Sequence, residues 1–169
     1  MRADRPYMPD YGIQPPGSGT GLLPWSWARQ RLVEARYYWV STVGPDGRPH
    51  TSPVWAVWHG ERAVFSCGNR SRKARNLDAR PHCTVATDDA RNPVVVEGVA
   101  ERIAGRDETD VVRLAMVAKY DYELTLDFLL ANALFAVRPL KVLGLVEDDF
   151  TGSPTRWVPD ADGRPDTGP

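Results

Sequence analysis

Apolar positions in this chain fall mainly into short runs of β-branched and aromatic residues separated by turn chemistry, which is the pattern of a mainly β protein. Tyr37 to Val43 and Pro49 to Trp58 are two such runs. The tetrapeptide Gly44-Pro45-Asp46-Gly47 between them is turn chemistry, so the pair predicts a hairpin. Arg62 to Cys67 continues the meander after His59-Gly60, and His82 to Thr87 with Val94 to Arg102 predicts a second hairpin across the polar loop from Asp88 to Pro93. Phe135 to Arg138 and Lys141 to Val146 would close the sheet. Two segments change period. Pro24 to Arg36 predicts a helix that lids the barrel, with Pro24 suited to a first turn and Trp27, Leu32 and Ala35 as apolar contacts. Asp107 to Tyr120 predicts another, with Asp107 as N-cap and Val111, Leu114, Ala115 and Ala118 at helical spacing.

Val54-Trp55-Ala56-Val57-Trp58 is apolar on both faces, so one face fills a closed or nearly closed barrel and the other needs a cover. A second copy of the chain is the simplest cover, and a homodimer is expected. Residues 21–158 then form one domain. The segments 1–20 and 159–169, rich in Pro and Gly, are expected to be mobile. Gly17-Ser18-Gly19-Thr20-Gly21 follows no strand and precedes no Gly-Lys-Ser/Thr, so it is not a nucleotide loop.

Composition narrows the function classes. A chain of 169 residues with 42% hydrophobic and 25% charged residues can bury a core without staples. Its formal net charge of -1 gives no basic field for nucleic acid. Cys67 and Cys83 have no metal or redox spacing and read as buried thiols of a reducing compartment. His50, His59 and His82 sit in separate segments, so no metal is expected. The polar start and the lack of an apolar run near ~20 residues predict a cytoplasmic protein with no membrane partner.

The candidate chemistry lies in two places. The first is the turn and strand from Asp46 to Trp55; the second is Ser71-Arg72-Lys73-Ala74-Arg75-Asn76-Leu77, just past Val64-Phe65-Ser66-Cys67-Gly68-Asn69, a strand ending in small and polar residues. A serine that caps a helix start beside Arg72 and Lys73 suits a phosphate, because the helix dipole and the cations act on the same anion. The same cluster also reads as a solvated helix face.

The order Tyr38 to Val43, Asp46 to His50, Pro53-Val54-Trp55, Phe65-Ser66, Ser71 to Leu77 and Val95-Val96-Glu97-Gly98 resembles the pyridoxamine 5′-phosphate oxidase-like split β-barrel superfamily. Within it the chain is most similar to the flavin/deazaflavin oxidoreductases that use coenzyme F420, over about Trp25 to Trp157. The resemblance implies a mainly β (α+β) split β-barrel with flanking helices, homodimeric, with the cofactor in a groove between subunits. It places the ring system against His50, Thr51, Ser52, Pro53 and Val54, and phosphate near Ser66, Ser71, Arg72, Lys73 and Asn76. The chain departs from the oxidases proper, which carry an Arg-x-Val-Leu-Leu-Lys element where this chain has Ser52-Pro53-Val54-Trp55-Ala56-Val57. Both cations are missing, which argues against vitamin B6 oxidation.

The activity implied is hydride transfer from reduced F420 to a small electron-poor alkene, imine or quinone. An FMN-dependent oxidoreductase of the same fold and a non-catalytic carrier of F420, FMN or haem are the alternatives. No catalytic base is required; Tyr120, after Lys119 at a helix end, is a candidate proton donor, and packing is the favoured reading of it. Of the six tryptophans, Trp55 and Trp157 are the candidates for a substrate pocket.

Overall fold

The first hairpin turns where Gly47 takes φ +79, a left-handed conformation that a side chain disfavours, and its N–H bonds Gly44 O at 2.9 Å. Along the described chain, residues 1–160 of the computed structural model, the elements are β1 (Arg2–Asp4), α1 (Trp25–Glu34), β2 (Tyr38–Val43), β3 (Pro49–Val54), β4 (Ala56–His59), β5 (Arg62–Cys67), α2 (Arg72–Ala79), β6 (His82–Thr87), β7 (Val94–Arg102), α3 (Arg106–Tyr120), α4 (Leu126–Leu130), β8 (Ala133–Gly144) and β9 (Thr155–Val158).

Every strand pairing is antiparallel. β2 pairs with β3 and β6, β6 with β7, β7 with β8, β8 with β5, and β5 with β4. β4 continues β3 beyond Trp55, so the ladder returns to its start and a barrel closes. The predicted strand from Pro49 to Trp58 is therefore two strands with a break at Trp55. β8 serves two neighbours beyond β7: Ala133 to Val137 pairs with β5, and Val142 to Gly144 pairs with β9. The sequence reading had split β8 at Pro139. The strand runs through it because the register against β7 shifts between Glu97 and Gly98, and a bulge is one of the few sheet positions that suits proline.

The barrel interior is filled by Val40, Val54, Phe65, Val85, Val96 and Phe135, among others, and α1 closes one end with Ala28 and Leu32. A second cluster lies outside the barrel wall, where Val112, Met116 and Tyr120 of α3 pack on Val57, Val64, Leu134 and Ala136. This corrects two expectations. The outer face of β4 is covered by the chain's own α3 rather than by a partner. The buried stripe of α3 is Thr109, Val112, Met116 and Tyr120, one position away from the predicted face, and it leaves Val111 and Leu114 exposed. The α3 N-cap is Gly105, with Asp107 in the first turn, where its charge favours the helix dipole.

The segment expected to be mobile at the start of the chain carries β1, which pairs with β9. The Arg5 guanidinium then donates to the carbonyls of Pro154 at 2.7 Å and Gly152 at 2.9 Å, which straps the arm to the C-terminal turn. Of the expected mobile tail, 159–169, residues 161–169 lie outside the described residues.

Candidate functional site

The α2 start forms as the residue types require. Ser71 takes an extended N-cap conformation and accepts from the Ala74 N–H at 3.2 Å, while its own N–H bonds Gly68 O at 2.9 Å. Arg72 is exposed and Lys73 half-buried. No ion pair among the described residues involves Arg70, Arg72, Lys73 or Arg75. Four cations without a carboxylate partner therefore surround one helix N-terminus, and an anion there meets dipole and charge together.

Asn76, predicted beside them, is committed elsewhere. It is buried, and its Nδ2 donates to Thr42 Oγ1 at 2.9 Å, tying α2 to β2. Thr42 Oγ1 in turn donates to His50 O at 3.3 Å. This polar chain fixes the hairpin against α2 rather than offering groups to a ligand.

β3 pairs only with β2, so its other edge leaves backbone groups without a ladder partner. Its side chains divide by the strand period. His50, Ser52 and Val54 lie opposite Thr42, Val40 and Tyr38 on the inner face, and Thr51 and Pro53 are exposed on the outer face. Thr51 Oγ1 shares a hydrogen bond with Ser41 Oγ at 2.9 Å. His50 Nδ1 and Ser52 Oγ are buried without a partner. Five consecutive side chains of one strand cannot meet one ring, so only the backbone edge presents these residues to a common ligand.

Just past the end of β3, at Trp55, opens a cavity of about 640 Å³, a size that suits a small organic ligand. It is lined by Trp55 at the β3–β4 break, by Ser66, Cys67 and Gly68 at the β5 end, by Met116 of α3, and by the α3–α4 connection and α4 from Tyr122 to Leu129. Gly68 belongs both to the cavity wall and to the turn that enters α2, so the cation cluster follows the wall directly along the chain. The local sequence explains the wall. Asp121 takes φ 49 and ends α3 in a left-handed cap, and the Thr125 hydroxyl accepts from the Phe128 N–H to restart the chain as α4.

Tyr120 holds the opposite wall. Its hydroxyl accepts from the Ala56 N–H and donates to the Ala56 carbonyl, both at 2.8 Å, and its ring stacks on Trp55 with centroids 4.5 Å apart. Burial raises its pKa, against the opposing effect of the Ala56 bond. The hydroxyl supplies the backbone partners that the strand break at Trp55 removes, so it is a pin and not a free proton donor. Next to it, Lys119 Nζ donates to Tyr38 OH at 2.7 Å, and Tyr38 OH donates to Leu32 O. Burial pulls the Lys119 amine down to about 8, with Asp88 acting the other way.

Of the predicted pocket tryptophans, Trp55 lines the cavity and Trp157 does not. Trp157 is fully buried, donates from Nε1 to Leu23 O at 3.1 Å and stacks on Trp27, because β9 lays it across the barrel end. Ser66 lines the cavity, and Ser71, Arg72 and Lys73 stand at the start of α2, just past Gly68 of its wall. The residues that sequence reasoning missed are those of the wall from Tyr122 to Phe128. Their signal was Thr125 ahead of the apolar Leu126-Asp127-Phe128-Leu129-Leu130, a capped helix start too short to show periodicity. Among the described residues there is no group of three or more His, Cys, Asp or Glu side chains placed to hold a metal, and no helix is long and apolar enough to cross a membrane.

Similarity to known proteins falls on the same part of the chain. No curated protein matches it. Among solved structures, an F420 reductase is 28% identical with a TM-score of 0.55, over 67% of this chain and 94% of that one. An FAD-binding protein from Mesorhizobium loti is 16% identical with a TM-score of 0.58, over 79% of this chain and 94% of that one. A haem-binding protein from Mycobacterium smegmatis is 20% identical with a TM-score of 0.55, over 78% of this chain and 62% of that one. The last two likenesses are of fold. The family profile described as pyridoxamine 5′-phosphate oxidase matches residues 27–142, from α1 into β8 and across the whole closed barrel, and the chain belongs to that family.

Proposed function

We propose that this protein binds coenzyme F420 and carries out hydride transfer to a small electron-poor organic acceptor. The observation that carries the reading is the Ser71-capped start of α2, where Arg70, Arg72, Lys73 and Arg75 have no carboxylate partner among the described residues and follow directly on Gly68 of the cavity wall. The 28% identity to an F420 reductase supports it.

The residues present fit such a cofactor in part. Ser71, Arg72 and Lys73 would hold its phosphate, and the free edge of β3 would meet its ring system through backbone groups. Ser66 stands between them at the rim. The inner-face side chains of His50 and Ser52, and Asn76, would act only by shaping the strand and helix that do the binding. When bound, the reduced deazaflavin supplies a hydride. The chain's own work is positioning and the exclusion of water: Trp55, Met116, Phe128 and Leu129 give the acceptor an apolar wall, and Tyr120 keeps Trp55 in place from behind.

F420 is favoured over FMN because the second strand lacks the two cations that would complete a clamp on a compact phosphate dianion. A phosphodiester carries a single charge, and the oligoglutamate tail beyond it can use dispersed cations. Of the dispersed cations Arg29, Arg31, Arg36 and Arg75, Arg29 is taken by Glu61, Arg31 lies over Trp27 and Arg36 over Tyr120, which leaves Arg75, with Arg70 of the same cluster, for that role. Paired titrations with F420 and FMN at low and high ionic strength test the choice. F420 should bind more tightly, with a preference that narrows as salt rises. Tighter FMN binding at both salts would replace F420 by FMN, and a Soret band on haem addition without binding of either flavin would make the protein a haem carrier.

The same reading includes a homodimer. Trp39 and Val43 are exposed on the outer face of β2, beside Pro49, Thr51 and Pro53 of β3, and a second copy would cover them. Light scattering at micromolar concentration should give twice the chain mass; a monomer that binds cofactor fully would remove the dimer from the mechanism.

A further inference from the structure

The cavity wall has a composition that selects among acceptors. Three aromatic side chains line it, Trp55, Tyr122 and Phe128, and all three are exposed, at 43%, 57% and 54%. Trp55 and Tyr122 meet edge to face with centroids 5.5 Å apart. Glu123 supplies a carboxylate, and no Lys, Arg or His lines the cavity. Two guanidinium groups that reach the segments around the wall are engaged: Arg113 pairs with Asp110 at 2.7 Å while reaching Leu124 O, and Arg102 pairs with Asp78 at 2.7 Å while reaching Asn69 Oδ1. Asn132, also in the wall, uses one of its two amide N–H groups on Phe128 O at 2.8 Å.

We infer that this cavity takes a planar organic cation, and that Glu123 with the faces of Trp55, Tyr122 and Phe128 sets the preference for positive charge. Aromatic faces carry negative quadrupole density and attract a cation whose hydration shell is thin, and a carboxylate at the rim adds to that field. Four cations without a carboxylate partner among the described residues, Arg70, Arg72, Lys73 and Arg75, lie instead at the α2 start, so the charges divide: anion at the helix, cation at the aromatic wall.

Taken with the proposed hydride transfer, on which this step rests, the acceptor class becomes an iminium or an N-alkylated heteroaromatic ring. A hydride adds to the carbon of the C=N⁺ bond, a C–H bond forms, and the π pair returns to nitrogen as a lone pair. The two electrons come from the reduced deazaflavin, which is oxidised and releases its ring N–H proton to solvent, and the product amine is neutral. The acceptor takes up no proton, so the step asks for no acid from Tyr122 in the wall or from Tyr120, whose hydroxyl is occupied by Ala56. The neutral product also loses its attraction to the wall, which favours release.

The test is calorimetric titration of the protein, without added cofactor, using N-methylquinolinium and quinoline at mildly alkaline pH, where quinoline is neutral. The two probes are nearly equal in size and differ by one charge. The cation should bind roughly tenfold more tightly, the scale of a desolvated cation–π contact. Glu123→Gln, at an exposed position, should shrink that ratio and leave quinoline binding unchanged, and Phe128→Ala should weaken the cation. Equal affinities in the wild-type protein, or a ratio that survives Glu123→Gln, would overturn the assignment. F420 titration is read separately: loss of F420 binding with the cation preference intact would sink the cofactor reading and leave this one standing.

Discussion

Replacing Tyr120 by Phe removes one oxygen and leaves the ring, so it isolates what the hydroxyl does. That oxygen serves two groups of one peptide, the Ala56 N–H and the Ala56 carbonyl, each at 2.8 Å, in buried surroundings. The strand break at Trp55 is the reason they need it, since the ladder partners of β3 lie on β2 and those of β4 on β5. A buried backbone group left without a partner costs about 1–3 kcal/mol, and the phenol recovers part of this by no longer being desolvated, so the loss should be roughly 2–4 kcal/mol. For a chain of this size that corresponds to a fall in Tm of roughly 5–15 °C. Urea unfolding followed by far-UV circular dichroism measures it, with the slope of the transition unchanged. Cofactor-dependent turnover of the folded variant should stay within a few-fold of wild type. A loss of stability under about 0.5 kcal/mol would show that Ala56 does not depend on the hydroxyl. Unchanged stability with abolished turnover would instead make Tyr120 a catalytic acid.

Lys73→Ala should weaken cofactor binding at least about tenfold, within the 1.5–3 kcal/mol of a charge-assisted hydrogen bond, by titration of the folded variant; unchanged affinity would return the α2 cluster to a solvated face. Lys119 binds fewer protons in the folded protein than in the unfolded chain between its lowered value of about 8 and the ordinary lysine value. Wild-type stability should therefore rise relative to Lys119→Met as pH climbs through that window, as read by urea midpoints at several pH values. Gly98→Ala would set a Cβ 2.4 Å from Arg138 O at the β7 bulge, and the variant should lose about 2–3 kcal/mol or fail to accumulate in folded form. Burial pushes the Cys83 thiol up to about 12, so thiol reagents should reach it only after denaturation, as read by mass spectrometry of native and unfolded samples.

The parts of this protein that were legible in its sequence are those governed by neighbours along the chain. The turn at Gly44 to Gly47, the strands from Arg62 to Cys67, His82 to Thr87 and Val94 to Arg102, and the Ser71 cap all follow from residue chemistry within a few positions. So did the cation cluster, because its members are consecutive. The parts decided by tertiary structure are those where two distant segments compete for one group. Val111 and Leu114 are as apolar as Val112 and Met116, and only the position of α3 on β4, β5 and β8 determines which pair is buried. Trp55 and Trp157 are the same residue type, yet one ends at a strand break open to a cavity and the other under the barrel end against Leu23 and Trp27. Asn76 lies among candidate ligands in the sequence, but folding brings Thr42 within 2.9 Å and engages its amide nitrogen. β9 and β1 are too short to announce themselves and exist because each completes the other's hydrogen bonds. Local order fixes which groups the chain can offer; which of them remain free for a ligand depends on partners that only the closed barrel brings together.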